Sequence, residues 1–280
     1  MLKETFNGSL RRFLYSKKGL AIPLTYLILF SSLIVIISLT YSFAVTKIGA
    51  ESSILKVSIA KQNMLNLDNA IRSVAWSSEA SKVVYMDNCG GLFETKPTAK
   101  NLLINFTDEQ TFYTVVFNSS VGKIHYKLEP FNDNYVGLFL KGDSKSIVNK
   151  TSSTITQLHF EAGNDSQELT LSYRPLATTA LIGEEDGKPL NLIRIYIINL
   201  NSSPNLTFRE NFYLKVTSVN VTIATYSYNF SQQVSSLALK ASFNSEALST
   251  VWLKISSNTN GAYVKIEVVT CNIKVQRVVL

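Results

Sequence analysis

Residues 17–46 read KKGLAIPLTYLILFSSLIVIISLTYSFAVT, and the fold turns on how this stretch is taken. From Leu20 to Thr46 there is no charged side chain. As a helix at ~1.5 Å per residue it is about 40 Å long, against a hydrocarbon core of ~30 Å. Pro23 falls in the first turn, where its missing N–H costs nothing. Ser31, Ser32, Ser38 and Thr40 can return their hydroxyls to helix carbonyls. Tyr26 and Tyr41 sit near the two ends, at the depth where interfacial aromatics collect. The stretch predicts a membrane-inserted helix.

Upstream, residues 1–19 hold Lys3, Arg11, Arg12, Lys17 and Lys18 against the single acid Glu4, which is +4 of the chain's formal +7. Bases beside an apolar span are retained on the cytoplasmic side, so this leader is expected inside and the remainder outside. The basic balance is thus a property of the leader. No Lys/Arg cluster elsewhere would track a phosphate backbone, which argues against nucleic acid as a partner. Cleavage after Ser42-Phe43-Ala44 would release a soluble protein, but the apolar run exceeds the 7–15 residues of an ordinary secretory signal.

The boundary Lys17-Lys18-Gly19-Leu20-Ala21 resembles the prepilin-peptidase site of type IV pilin-like proteins, especially archaeal ones, with class III signal peptides. The resemblance covers residues 17 to about 88. It implies cleavage after Gly19, retention of the apolar helix, and packing of that helix in a filament core. It also implies a homo- or hetero-oligomer of pilin-like subunits, a prepilin peptidase, an assembly ATPase and a membrane platform protein. Many bacterial members carry glutamate at the fifth mature position. Here that position is Leu24, as in archaeal relatives that lack the acid.

Downstream, Phe43, Ala50, Val57, Met64, Ile71 and Ser78 recur every seven residues, and Thr46, Ser53, Ala60, Leu67, Val74 and Ser81 fill the alternate positions. This a/d stripe predicts that the helix runs on, from Leu20 to about Tyr85, and closes at Asp87-Asn88-Cys89-Gly90-Gly91. Its residues Ala50, Val57, Ala60, Met64, Leu67, Ile71 and Val74 either pack on the chain's own β-domain or against neighbouring copies.

Past residue 89 the period becomes two. Strand-like runs lie at 103–106, 112–117, 123–128, 135–140, 155–160, 168–173, 192–200, 212–230, 251–256 and 263–268, with a final strand through Ile273, Val275 and Val278. The run 212–230 shifts phase near Thr217-Ser218, which predicts a bulge. Asn260-Gly261 is a hairpin signal between the runs at 251 and 263. The expected fold is α+β: a leader (1–19), a transmembrane and stalk helix (20–88), and an antiparallel β-sandwich (89–280).

Cys89 and Cys271 read as one disulfide if this region is extracellular, or else as two unrelated buried thiols. N-glycosylation sequons stand at Asn105, Asn118, Asn149, Asn164, Asn201, Asn205, Asn220 and Asn229, all beyond the span. A ninth, Asn7, lies in the leader. No hydrolase, P-loop, zinc-protease or dinucleotide motif is present, so no catalytic residue, cofactor or metal is expected. His125 and His159 stand isolated in strand patterns. Glu184-Glu185-Asp186-Gly187 reads as a solvated turn rather than a Ca²⁺ loop. The sequence thus points to a filament subunit, or alternatively to a signal-anchored surface protein with an adhesive or ligand-binding β-domain.

Overall fold

The computed structural model describes residues 17–128, 135–163, 166–244 and 249–278, and of residues 17–21 only the backbone. The chain divides into two units, 1–54 and 55–280. In the first, helix α1 (Lys17–Val74, 58 residues) begins at the basic boundary. Its apolar side chains from Ile22 to Ile54 are exposed, as they must be if lipid is their solvent. The most apolar 18-residue window within Ile22–Val74 has a mean hydropathy of 2.4 and nothing buried, so the helix is long and apolar enough to cross a membrane. Ser31, Ser32, Thr40 and Thr46 donate to carbonyls three or four residues back, so these four hydroxyls are satisfied within the helix.

The second unit takes the last twenty residues of α1 and thirteen strands. One sheet has the order β1 (Ser81–Met86), β10 (Phe212–Phe230), β13 (Ala262–Val278), β8 (Lys188–Asn199), β7 (Leu176–Glu185). The other runs β12 (Ser249–Lys254), β11 (Ser236–Phe243), β2 (Leu92–Thr107), β3 (Tyr113–Leu128), β6 (Ser166–Tyr173), β5 (Thr156–Gly163), β4 (Phe139–Lys141), with β9 (Thr207–Phe208) beside β2. All pairs are antiparallel except β8 with β13.

Two cores lie between these sheets. In one, Ile104, Phe106, Leu237 and Leu239 meet Ile195, Ile197, Val264 and Ile266, sheet directly on sheet. In the other, Val57, Ala60, Met64, Leu67, Ile71 and Val74 of α1 enter between Ile124, Tyr126 and Leu171 on one side and Leu214, Val216 and Ile273 on the other. A helix is about 10 Å across, so its insertion requires the sheets to part at this end and lets them close at the other.

Three expectations need correction. The helix ends at Val74, not near Tyr85. Trp76 and Glu79 take left-handed backbone (φ 70° and 66°), turning the chain through Ser77-Ser78 into β1. There the heptad count had met only serine, and the buried Val84 and Met86 follow period two instead. Asp87–Gly91 therefore joins two strands and caps no helix. Asn258–Gly261 forms a turn closed by its own two hydrogen bonds, but the strands it joins belong to different sheets and do not pair. The shift within β10 is a bulge between Ser218 and Asn220, one residue from the predicted place.

Candidate functional site

The disulfide is also corrected: Cys89 and Cys271 are both buried and free. Cys271 lies on β13 with Sγ 3.5 Å from Ser218 Oγ. Cys89 lies in the β1–β2 connection against the Tyr126 hydroxyl, and burial pushes its thiol pKa up. Each sulfur is seated in apolar surroundings with its own polar neighbour, the environment of an inert structural thiol.

Lys17, Lys18, Gly19 and Leu20 form the first turn of α1. Of the helix stripe, Ala50 is exposed, whereas Val57, Ala60, Met64, Leu67, Ile71 and Val74 sit in the outer unit's own core. Among the sequons, Asn118, Asn149, Asn205, Asn220 and Asn229 are exposed, Asn201 is half-buried, and Asn164 lies outside the described residues. Asn105 is only 7% exposed, in mid-strand on β2.

On α1, Asp68 is fully buried, yet accepts from the Tyr173 hydroxyl (2.9 Å) and Thr156 Oγ1 (2.8 Å) and pairs with Lys141. The burial of Tyr173, with the Asp68 charge beside it, holds its phenol protonated. These bonds fix the helix against β4, β5 and β6. Beyond them a recess of about 400 Å³ opens between Arg72, Trp76, Lys141 and the loop 151–155.

On the second sheet, His125 is completely buried, with Nε2 2.9 Å from Glu94 Oε2. Burial lowers its pKa, and the Glu94 hydrogen bond opposes that only in part. Burial would raise Glu161, but hydrogen bonds from His159 and Lys123 outweigh it and hold the carboxyl far below its usual range. Among the described residues no three His, Cys, Asp or Glu side chains cluster as metal ligands would.

A second recess, of about 590 Å³, was not anticipated from sequence. It lies at the end of the outer unit remote from Val57. Register shows this: Asn63 of α1 binds Asp87, Met86 pairs with Phe212, Ser81 pairs with Thr217, and β10 then runs on beyond β1, paired with β13, to Phe230, about 40 Å further. The β2–β3 turn, the end of β10, the connector 231–235 and Trp252 of β12 form its walls. Asp108 accepts from the backbone N–H groups of Gln110, Thr111 and Phe112 and from the Thr111 hydroxyl, which fixes that turn. Phe112 meets Tyr228 and Phe230 edge-on, with centroids 4.9 and 5.1 Å apart. Gly261 (φ 105°) admits the close approach of the Phe230 carbonyl, where any Cβ would clash. The sequence signal was the aromatic run Tyr226–Phe230 followed directly by Ser231-Gln232-Gln233, which the strand count passed over.

No protein-family model matches this chain, no curated protein matches it, and no solved structure matches it.

Proposed function

We propose that this chain is a non-catalytic, single-pass membrane protein that displays a ligand-binding β-domain on the outer face of the membrane. The observation that carries this reading is the continuity of α1: one helix is uncharged from Leu20 to Thr46, with its apolar side chains exposed from Ile22 onward, and a core element of the β-domain over its last twenty residues. The basic leader 1–19 stays in the cytoplasm, and the exposed sequons Asn118, Asn149, Asn205, Asn220 and Asn229 carry N-glycans. The partners are the lipid bilayer and a ligand at the outer domain. Alkaline carbonate extraction tests the anchor: the chain stays with the membrane, and its appearance in the soluble fraction would reject the reading.

One observation favours a second reading, a subunit of a type IV pilus-like filament. The Lys17-Lys18-Gly19-Leu20 boundary stands at the first turn of α1, where a cut after Gly19 leaves the whole apolar helix on the mature chain. Since the stripe from Val57 onward is used by the domain's own core, subunit packing would fall on the helix before it, Ala50 included. N-terminal sequencing of the native protein separates the cases. A start at Leu20 supports the filament subunit, with prepilin peptidase and assembly machinery as partners. A start at Met1 leaves the anchored protein, and one at Val45 means release.

A further inference from the structure

We infer that the cleft at the far end of the sandwich is a binding site for neutral carbohydrate; this rests on the ligand-displaying reading above and gives that ligand a chemical class. The argument begins with charge. No lysine or arginine lines the cleft, and its one acid, Asp108, already accepts four hydrogen bonds from its own turn. The walls therefore offer no ion pair to an anion or a cation. What they offer is amide and hydroxyl. Gln110, Gln232 and Gln233 line the cleft with exposed side chains, and serines flank the last two on the connector. An amide is both donor and acceptor, which is what a sugar hydroxyl needs, since each hydroxyl also both gives and takes.

The second component is a flat apolar surface. Trp252 is 49% exposed at the cleft wall, and Phe112, Tyr228 and Phe230 form a packed aromatic shelf. A pyranose presents one face of C–H groups that lies on such rings while its equatorial hydroxyls reach the rim. A free peptide or a nucleotide would leave charged groups without partners here. The volume is within the range of small-ligand sites. The shelf is also pre-formed: the Asp108 turn and the ring contacts hold it without ligand, so little ordering opposes binding. The exposed sequon at Asn229 stands on the same rim, so a glycan carried there would lie at the mouth of the cleft.

The test uses the full chain in lipid nanodiscs, made in a host without N-glycosylation so that no resident glycan competes. Calorimetric titration with neutral hexasaccharides of glucose, mannose and N-acetylglucosamine is expected to show binding by at least one. Trp252→Ala and the double variant Gln232→Ala/Gln233→Ala should each weaken it about tenfold, with unchanged thermal unfolding. Binding should not vary between low and high salt, because no charge takes part. Three results would overturn the inference: no binding by any of the three sugars, binding untouched by both variants, or salt-sensitive binding confined to a sulfated oligosaccharide. A chain that resists carbonate extraction yet binds no sugar overturns this inference alone, whereas one that binds sugar but is extracted overturns only the anchor.

Discussion

At the residue scale, the buried charges decide how the outer domain responds to pH and to substitution. His125 is neutral in the fold because burial lowers its pKa, while in the unfolded chain it titrates near the ordinary 6.5. The unfolded state therefore binds more protons as pH falls through about 6.5, and stability declines there. Glu161 acts lower down: its folded pKa is depressed, so its contribution is complete above 4.5 and is lost as pH falls below that value. The thermal midpoint is expected to be flat from about pH 7 to about pH 8, below the range where the Cys89 thiol and the Tyr173 phenol ionise in the unfolded chain, and to drop in two stages at lower pH, of which His125→Gln should remove only the upper one. Asp68 makes a different point. Asp68→Leu leaves Lys141 and the Tyr173 hydroxyl without their acceptor in the core, and should cost about 3 kcal/mol by thermal or denaturant unfolding. Replacing Lys141 with Met in the same chain should return part of that loss. Because both cysteines are free, reductant should leave unfolding unchanged, and Cys271→Ala should behave as a small core truncation.

At the element scale, α1 does two jobs with one periodicity. Leu33→Arg places a charge at the middle of the apolar half, at ~2.5–3.5 kcal/mol for insertion, and should shift the chain toward the uninserted fraction in a membrane-integration assay. Leu67→Ala acts on the other half and should destabilise the outer domain by about 2–5 kcal/mol while leaving insertion intact. The sequence made this helix legible because both solvents it faces, lipid and protein core, select apolar residues at helical spacing. Its end was not legible: Ser77, Ser78 and Ser81 suit a heptad surface, a turn and an exposed strand face equally well. Strand existence was read more reliably than strand extent. The separate runs at 112 and 123 are one strand, β3, and those at 263 and 273 are one strand, β13. In β3 the polar link Asn118–Ser120 continues in the sheet because Leu103, Leu102 and Asn101 of β2 pair with it residue by residue. Strands β1, β7, β9 and β11 were missed: β7 is an edge strand exposed over most of its length, so no alternation marks it.

At the scale of the whole molecule, the charge asymmetry is the ground for the proposed orientation. Protease added outside intact cells should remove the β-domain and leave a fragment holding the leader and span; protection of the domain would place it on the wrong side. The overall architecture could be read because it follows from one change of period near residue 80. The cleft could not, because it is assembled from a turn near 110, a strand end near 230 and a ring at 252, and only sheet pairing brings these together. The place of β13 has a further consequence, for how the protein is made. This strand, at residues 262–278, is the middle member of its sheet, hydrogen-bonded to β10 on one side and β8 on the other. In the proposed topology the helix reaches the bilayer first, while the partner for its buried face is not complete until residue 278 has cleared the membrane. For that interval Met64, Leu67 and Ile71 are tethered at the lipid surface without their sheet, so the nascent chain is a natural client for whatever holds unfolded polypeptide on the far side.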